Sequence, residues 1–371
     1  MSRILEAKAG STIVLMGNEA IARGALESRL SVATTYPGTP ASEIGDTLAK
    51  VAKDAGIYFE YSTNEKVATE VAIGAAASGL RALVSMKHVG VNVASDALMT
   101  FAYTGTRGGF VLVTADDPSC HSSQNEQDNR FYALFGGFPL FEPSSPQECY
   151  DMAKKAFEVS EELGQPVMLR TTTRVAHVRG PVRVGEISVG PRKKEFVKEP
   201  ARFVTVPAVA RARHLVLLEQ LSKAEQMAEG SEFNTILKVE NGGRLGIITS
   251  SAAANYTIDA AKDMKLHADV LKLEIPACAT SATPWRVTRL SRRPYFISFA
   301  RERAVPLPHS LPDDGERASL DYTYPDRPEQ SEPDSDVFAL CVDRVVSVTP
   351  LSLDLTARVD LSGLDAALRA V

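Results

Sequence analysis

The sequence predicts an α/β fold: an open, mostly parallel sheet followed by a partial second α/β domain. From Ser11 to about His177, short apolar runs alternate with stretches of helical spacing. Strands and helices that alternate in this way build parallel βαβ units. The alternation begins again at Leu245 and stops after Leu273, where the composition of the chain changes.

The predicted elements of the first domain are justified one by one along the chain. Each predicted strand is a short apolar or β-branched run, and Gly, Pro or Asn residues follow several of them. Ser42 is the predicted N-cap of a helix, and the Ala- and Gly-rich helix that begins at Glu65 is expected to be central because small side chains permit close packing. The predicted strands are Thr12–Met16 (expected to be buried), Ser31–Thr35, Tyr58–Ser62, Ala82–Met86, Phe110–Ala115 and Pro166–Thr171, and the predicted helices are Glu19–Leu30, Ser42–Ala55 and Glu65–Leu80.

The rest of the chain divides into three predicted segments. Residues 178–240 are expected to be a connector. Its first part, up to Arg202, is basic and interrupted by prolines, and Ala208–Gly230 is predicted to be a helix. Residues 241–275 begin a second α/β unit, with strands at 245–251 and 268–273 and a helix at 252–264 between them. Residues 276–371 carry no Lys, 11 Arg and 10 of the 21 Pro residues, whereas residues 1–275 carry 15 Lys and 15 Arg. This last segment is therefore expected to be extended, disordered or non-native.

Composition and missing motifs exclude several classes of protein. A formal charge of −5 argues against nucleic acid as the main partner, and no apolar run approaches the roughly 18 residues of a membrane helix. With no signal-peptide core at the N-terminus, a cytoplasmic location is expected. The four Cys residues are too scattered for a zinc or iron–sulfur site. Phosphate-loop, dinucleotide-binding, zincin and serine-hydrolase motifs are also missing.

Five polar segments follow predicted strands and are the candidate functional loops. Ligands of open α/β sheets bind beyond the carboxyl ends of the strands, so loops that follow parallel strands converge on one edge. The fifth segment is almost entirely polar, which is typical of a functional surface loop. The five are Gly17–Ala20, Tyr36–Pro40, Asn64–Glu65, Lys87–Asn92 and Asp116–Arg130.

Four of these stretches carry a resemblance to a known family. Tyr-Pro-Gly-Thr-Pro at 36–40, Asn-Glu-Lys-Val-Ala-Thr-Glu at 64–70, Met-Lys-His-Val-Gly at 86–90 and the polar run at 116–130 resemble the alpha subunit of indolepyruvate:ferredoxin oxidoreductase. The wider family is that of the thiamine-diphosphate-dependent 2-oxoacid:ferredoxin oxidoreductases. The resemblance runs from about Leu15 to Leu273. It implies that residues 1–177 form a pyrimidine-binding domain and that residues 241–275 begin a transketolase C-terminal-like domain.

The resemblance implies a catalytic and cofactor-binding role for Glu65. In this family the matching glutamate hydrogen-bonds N1′ of the aminopyrimidine, and a carboxyl group there favours the imino tautomer. The alternative is an acidic residue that only stabilises the first turn of its helix. Glu70 is a competitor five residues further on, on another face of the helix.

The remaining site residues are predicted from the other loops. Pro37, Gly38, Thr39 and Asn92 are predicted to contact the cofactor, and Thr39, Lys87, Asp116 and His121 the substrate. His88 is a second catalytic candidate, as a hydrogen-bond donor to substrate or a proton shuttle. Each of these roles has an alternative. Thr39 could be a plain turn residue, Lys87 and His121 could be solvated side chains, and the His88 ring could be hydrogen-bonded to the backbone. Pyruvate-using relatives carry arginine at the position of Asp116, so a carboxylate there favours a different substrate.

The function implied by the resemblance is oxidative decarboxylation of an indolepyruvate-like aryl 2-oxoacid to acyl-CoA. The expected cofactor is thiamine diphosphate, bound here through its pyrimidine half. The expected partners are a small beta subunit, ferredoxin and coenzyme A, and the protein is expected to form an oligomer. The family's Gly-Asp-Gly motif for magnesium and its cysteine motifs for 4Fe-4S clusters are missing from this sequence. The chain is therefore expected to be inactive alone, and its sequence after about residue 275 is expected to be truncated or frame-shifted. The alternative is that a separate subunit supplies the missing halves of the site. The alternatives are a related enzyme for another 2-oxoacid and a non-catalytic fragment.

Overall fold

A six-stranded, entirely parallel sheet forms the centre of the computed structural model, which describes residues 3–187, 196–242 and 245–273. This confirms the predicted fold class. The helices are α1 (Arg3–Glu6), α2 (Gly17–Glu27), α3 (Ser42–Ala55), α4 (Glu65–Ala77), α5 (His88–Thr104), α6 (Arg130–Gly136), α7 (Pro146–Leu163), α8 (Thr173–His177), α9 (Pro200–Phe203), α10 (Pro207–Glu229) and α11 (Ser251–Asp263). The strands are β1 (Thr12–Met16), β2 (Val32–Thr35), β3 (Tyr58–Tyr61), β4 (Ala82–Lys87), β5 (Phe110–Asp116), β6 (Leu140–Phe141), β7 (Val167–Thr172), β8 (Arg179–Arg183), β9 (Thr235–Val239), β10 (Leu245–Thr249) and β11 (Ala268–Lys272).

The order of the strands places a crevice between β2 and β4. The sheet runs β3-β2-β4-β5-β7-β6, so the chain leaves β2 toward one side of the sheet and leaves β4 toward the other. Such a reversal opens a ligand crevice at the carboxyl ends of the two strands. Thr35 and Ser85 face each other there, and the Thr35 hydroxyl donates to the Ser85 carbonyl at 2.8 Å.

Alternate residues of each strand pack into two hydrophobic layers. Leu83 and Val111 face the layer formed by α2, α3 and α7. Their neighbours Val84 and Leu112 face the other layer, which contains α4, α5 and α10. Both faces of the sheet are therefore covered, as expected for parallel strands. The central position predicted for α4 follows from its buried alanines, Ala68, Ala72 and Ala76.

Two predictions about local structure are wrong. Thr12–Met16 is a strand, but it lies outside the main sheet and pairs antiparallel with β8, and Leu15 is its one buried residue. Ser42 is the first residue of α3, not its N-cap; Ala41 occupies the cap position, and no side chain caps this helix. The prediction for Thr12–Met16 is wrong because a short apolar run is compatible with a two-stranded antiparallel ribbon as well as with a buried strand.

The predicted connector packs partly against the first domain. Val182 of β8 is fully buried, and α10, close to its predicted bounds, buries Leu217 and Leu221 in the layer with α5. Residues 235–272 form a three-stranded sheet, β10-β11-β9, in which β9 was not predicted. The domain boundaries remain predictions, and residues 276–371 lie outside the described residues. Within the described ranges, no helix is both long and apolar enough to cross a membrane.

Candidate functional site

The five candidate loops come together at the carboxyl edge of the main sheet. Four of them directly follow β2, β3, β4 and β5, which are parallel neighbours. The remaining loop, Gly17–Ala20, follows β1, outside the sheet. Its buried Asn18 donates to the Pro40 carbonyl and to the Glu43 carboxylate, both at 2.8 Å. The predicted convergence is thus present, with Asn18 linking the first loop to the second.

Glu65 is the first residue of α4 and is half-buried at this edge. The preceding Asn64 caps the helix, since its side chain accepts a hydrogen bond from Val67 N at 2.9 Å. The Glu65 side chain reaches α5, where a Cβ built on Gly90 would lie 2.7 Å from Oε1 and 2.6 Å from Cγ. Only glycine at position 90 leaves room for this carboxylate. Glu70, the competitor, is exposed further along α4.

The Glu65 carboxylate faces the first turn of α5. No side chain caps that helix, and its first turn contains no acidic residue. The amide groups of a first turn have no acceptor within the helix, and they carry partial positive charge. Partial positive charge of this kind favours a nearby carboxylate, and the Glu65 side chain contacts this turn at Gly90.

The Tyr36–Pro40 loop lies beside Lys87. Pro37 and Thr39 are exposed, and a Cβ built on Gly38 would come within 2.9 Å of the Lys87 Cβ. The Lys87 ammonium donates to the Ser122 carbonyl at 2.5 Å. Lys87 therefore lies between the loop after β2 and the loop after β5, and its charge is at the mouth of the crevice.

His88 is completely buried at the start of α5. Its Nε2 lies 3.1 Å from the Asn125 carbonyl, so Nε2 carries the proton. Nδ1 is buried and has no hydrogen-bond partner among the described residues. The His88 carbonyl accepts from the side chains of Gln127 and Asn129 at 2.9 and 3.1 Å. His88 thus fastens the polar loop to α5.

Asp117 organises the first half of the polar loop. Its carboxylate accepts from Ser122 N, Ser123 Oγ and Thr173 Oγ1 at 2.7, 2.6 and 2.9 Å. Burial alone would raise the pKa of Asp117, but these hydrogen bonds lower it below its usual value. Between Asp117 and Ser122, residues 119 and 120 adopt positive φ angles of 65° and 54°. Non-glycine residues adopt such angles rarely and at a cost in conformational energy.

His121 and Asn92 occupy the outer part of the site. His121 is exposed just after the strained turn. Asn92 is exposed on α5, where its side chain exchanges two hydrogen bonds of 3.0 Å with Gln127 and accepts one from Tyr132 at 2.5 Å. Both side chains lie where the loop after β5 meets solvent, so both can be reached by a ligand.

Asp116 lies in a different environment from the other predicted residues. It is 1% exposed, and Arg170 Nε and Asn129 N donate to its Oδ2 at 2.7 and 3.0 Å. Burial raises its pKa, and Arg170 offsets this only in part. Arg170 also pairs with Glu142 and lies 3.5 Å from Asp128. The structure does not bring Asp116 to the surface of the site, so substrate contact by this side chain remains a prediction that its burial opposes.

Several residues of the site could not be found from the sequence motifs. Arg170 lies within a strand that was predicted only as apolar, and Glu142 follows a strand of two residues. Gln127 and Asn129 belong to the polar run, but nothing in its composition separates them from their neighbours. The one sequence signal for Arg170 is a charged residue inside a buried strand, which requires a partner of opposite charge.

The residues at this edge fit the pyrimidine half of thiamine diphosphate. The carboxylate of Glu65 has space only because position 90 is glycine. Thr39 and Asn92 are exposed in the segments that follow β2 and β4 at the same edge. Among residues 3–187, 196–242 and 245–273, no three His, Cys, Asp or Glu side chains are grouped to hold a metal ion.

The fold and the carboxyl-edge site define an α/β domain of the cofactor-binding class. Its fold is similar to that of 2-oxoglutarate:ferredoxin oxidoreductase from Magnetococcus marinus, with a TM-score of 0.59 at 16% identity, over 71% of this chain and 54% of that one. The family model for the thiamine-diphosphate-binding domain of pyruvate flavodoxin/ferredoxin oxidoreductase matches residues 23–229. The chain belongs to this family.

Curated relatives agree with this assignment. The chain is 55% identical over 270 residues to indolepyruvate oxidoreductase subunit IorA of Methanothermobacter marburgensis, covering 73% of this chain and 44% of that protein. It is 50% identical over 279 residues to the IorA of Pyrococcus abyssi, covering 74% and 43%. A 2-oxoglutarate synthase subunit KorA of Methanothermobacter thermautotrophicus is 30% identical, covering 46% and 47%. The chain spans less than half the length of these relatives.

Proposed function

We propose that this chain contributes the pyrimidine half of a thiamine-diphosphate site to a 2-oxoacid:ferredoxin oxidoreductase. The observation that carries the proposal is the contact of Glu65 with Gly90 at the carboxyl edge of the sheet. A carboxylate held at that edge, in a family whose domain binds thiamine diphosphate, has the chemistry needed to bind the aminopyrimidine.

The residues of this chain have separate roles in the proposal. When bound, thiamine diphosphate supplies the electron sink for cleavage of the bond between the carboxylate and the 2-oxo carbon. Glu65 holds a proton at N1′ of the aminopyrimidine. Lys87, at the mouth of the crevice, offers an ammonium group to an anionic substrate, and Thr39 offers a hydroxyl group from the facing loop.

In this proposal His88 is a positioning residue that acts through the polar loop. A side chain without exposed surface cannot touch a ligand unless the loop moves. Its carbonyl and Nε2 hold residues 125–129 in place, and those residues in turn hold Asn92. The catalytic role predicted for His88 stays a prediction, and an effect transmitted through the polar loop has more support.

Indolepyruvate is the proposed substrate, and acyl-CoA and reduced ferredoxin are the proposed products. The support is the identity of 50–55% to two subunits named for indolepyruvate, against 30% to a subunit named for 2-oxoglutarate. A small partner subunit, coenzyme A and ferredoxin complete the proposed complex. The site on this chain would then need the missing magnesium and diphosphate ligands from another polypeptide segment.

A titration and an activity assay test this function. The full chain is titrated with thiamine diphosphate and Mg²⁺ by calorimetry, alone and after mixing with the partner subunit. Ferredoxin reduction is then measured with indolepyruvate and, in parallel, 2-oxoglutarate. Binding of thiamine diphosphate by the chain alone, or activity after mixing with the partner subunit, supports a subunit that carries half of the site. Absence of both binding and rescue contradicts it and favours the non-catalytic alternative, whereas faster turnover of 2-oxoglutarate contradicts the proposed substrate only.

A further inference from the structure

A cavity of about 620 Å³ lies at the opposite, amino edge of the sheet. The chain segments around it precede β4, β5 and β7, and the start of α10 covers them. The proposed catalytic residues all lie at the carboxyl edge. Nothing in the proposed function uses this cavity.

Three arginines from different segments line the cavity: Arg107 before β5, Arg202 in α9 and Arg213 in α10. Arg202 and Arg213 converge, because a Cβ built on Gly105 would lie 3.2 Å from a terminal nitrogen of each guanidinium group. Burial lowers the pKa of Arg202, and the Arg213 and Arg107 cations lower it further, with Glu199 acting in the opposite direction. These cations are therefore close enough to repel each other.

Hydrogen bonds to neutral carbonyls fix the two guanidinium groups but do not neutralise them. Arg202 donates to the carbonyls of Thr104 and Thr106 at 2.8 and 2.6 Å. Arg213 donates to those of Tyr103 and Thr104 at 2.8 and 3.3 Å. Each uses Nε and Nη2 in these bonds. Each Nη1 therefore keeps two N–H donors without a partner among the described residues.

The nearby carboxylates are mostly engaged elsewhere. Glu199 pairs with Arg107 at 2.6 Å, and Glu161 forms a two-point ion pair with Arg81, at 2.9 and 2.7 Å. Glu162 lines the cavity but is exposed. Glu199 also acts on the charges of Arg202 and Arg213. With Arg81, four arginines thus lie against three carboxylates (Glu161, Glu162 and Glu199), which leaves an excess of positive charge at the cavity.

Arginine pairs of this kind bind phosphate. The guanidinium group stays charged and presents paired N–H donors that match phosphate oxygens. Phe203 adds an aromatic surface beside them, since Arg107 and Arg202 lie 5.9 and 5.4 Å from its ring centroid. We propose that this cavity binds a phosphate-bearing anion through Arg202 and Arg213, at a site separate from the cofactor site.

Calorimetric titration of the full chain with inorganic phosphate and, separately, with ADP tests the proposal. We expect saturable binding of at least one of the two. Tighter binding of ADP indicates a nucleotide, and equal binding indicates the phosphate group alone. Both titrations are repeated with saturating thiamine diphosphate, which contains a diphosphate itself. Loss of the signal under that competition, together with unchanged affinity in Arg213→Gln, would place the anion in the cofactor site and overturn the proposal, as would absence of saturable binding.

Variants locate the site on the cavity. Arg213→Gln removes one charge and the free donors, and we expect the dissociation constant to rise about tenfold or more. Arg211→Gln is the matched control, because Arg211 lies on the same helix but is exposed and does not line the cavity. Equal losses in the two variants contradict the proposal. If Arg213→Gln lowers the melting temperature, Arg202→Gln is measured as the second variant, and wild-type affinity in that variant also contradicts the proposal.

Discussion

Two groups of charged residues lie at the same edge of the sheet and differ in what surrounds them. Glu65 and Lys87 are partly exposed around the crevice between β2 and β4. Asp116 of β5, Arg170 of β7 and Glu142 just after β6 are buried, and Arg170 forms an ion pair with each of the two carboxylates. The first group keeps side-chain atoms available for a ligand, and the second does not. Position at the carboxyl edge is therefore insufficient to identify a functional residue, and accessibility decides between the two groups.

The largest effect is expected from Arg170→Met in the buried group. Removing the guanidinium leaves Asp116 and Glu142 as buried carboxylates without their cation, which costs about 3–5 kcal/mol. The free energy of unfolding from urea titrations measures this. Arg130→Met is the control, because the Arg130 side chain is 44% exposed and its ion pair among the described residues is with Asp128. We expect a loss of about 1 kcal/mol or less. Similar losses for the two variants would contradict the distinction between the groups.

A smaller effect, on binding more than on stability, is expected from Gly90→Ala. The new methyl group would displace the flexible Glu65 side chain, so thiamine-diphosphate affinity of the chain should fall roughly tenfold, the loss of one charge-assisted hydrogen bond. Gly74→Ala is the matched control, since its Cβ meets nothing within 4 Å in α4. That control should gain about 0.5–1 kcal/mol of stability and keep its affinity.

A double variant sharpens this test. Adding Gly90→Ala to Glu65→Gln should cause little further loss of affinity, because the two changes remove the same interaction. Additive losses would mean that Gly90 acts independently of Glu65, and an unchanged affinity in Gly90→Ala would mean that the carboxylate does not need this space.

A further effect of similar size concerns acid stability where the two groups meet. Burial opposes the charge of Asp128, but Arg170 and Arg130 outweigh it and lower its pKa from 3.8 to about 2. A lowered folded-state pKa contributes stability above the unfolded value, and this stability is lost as the pH falls through about 2. We expect a contribution of about 1–2 kcal/mol, reduced by partial exposure. Unfolding titrations between about pH 5 and pH 2 should show a smaller decline for Asp128→Asn, and an identical decline would contradict it.

The sequence predicted the fold class and most strands because apolar periodicity and turn residues are local signals. It also placed Glu65, Lys87 and His88 correctly at strand ends, since parallel strands bring their carboxyl ends together. It could not place β1 outside the main sheet, because its pairing with β8 joins residues far apart in the chain. For the same reason it could not reveal that Asp116 is paired with Arg170.

Polar runs limit such predictions in another way. Residues 116–130 were expected to form a wet loop, and part of the run is exposed. Asp117 and Asn129, however, are buried, and their side-chain hydrogen bonds hold the loop in place. Composition does not distinguish a polar side chain that faces a ligand from one that satisfies the backbone, because both require hydrogen bonds.

The most direct test of the central claim is the thiamine-diphosphate affinity of Glu65→Gln against that of Glu70→Gln. Both residues lie on α4, and Glu70 is exposed away from the site. Measured by calorimetry on the full chain together with its partner subunit, Glu65→Gln should weaken binding about 10- to 100-fold, the loss of one charge-assisted hydrogen bond. Glu70→Gln should bind as the unmodified chain does. Equal affinity of the two variants would contradict the assignment of Glu65 to the cofactor site.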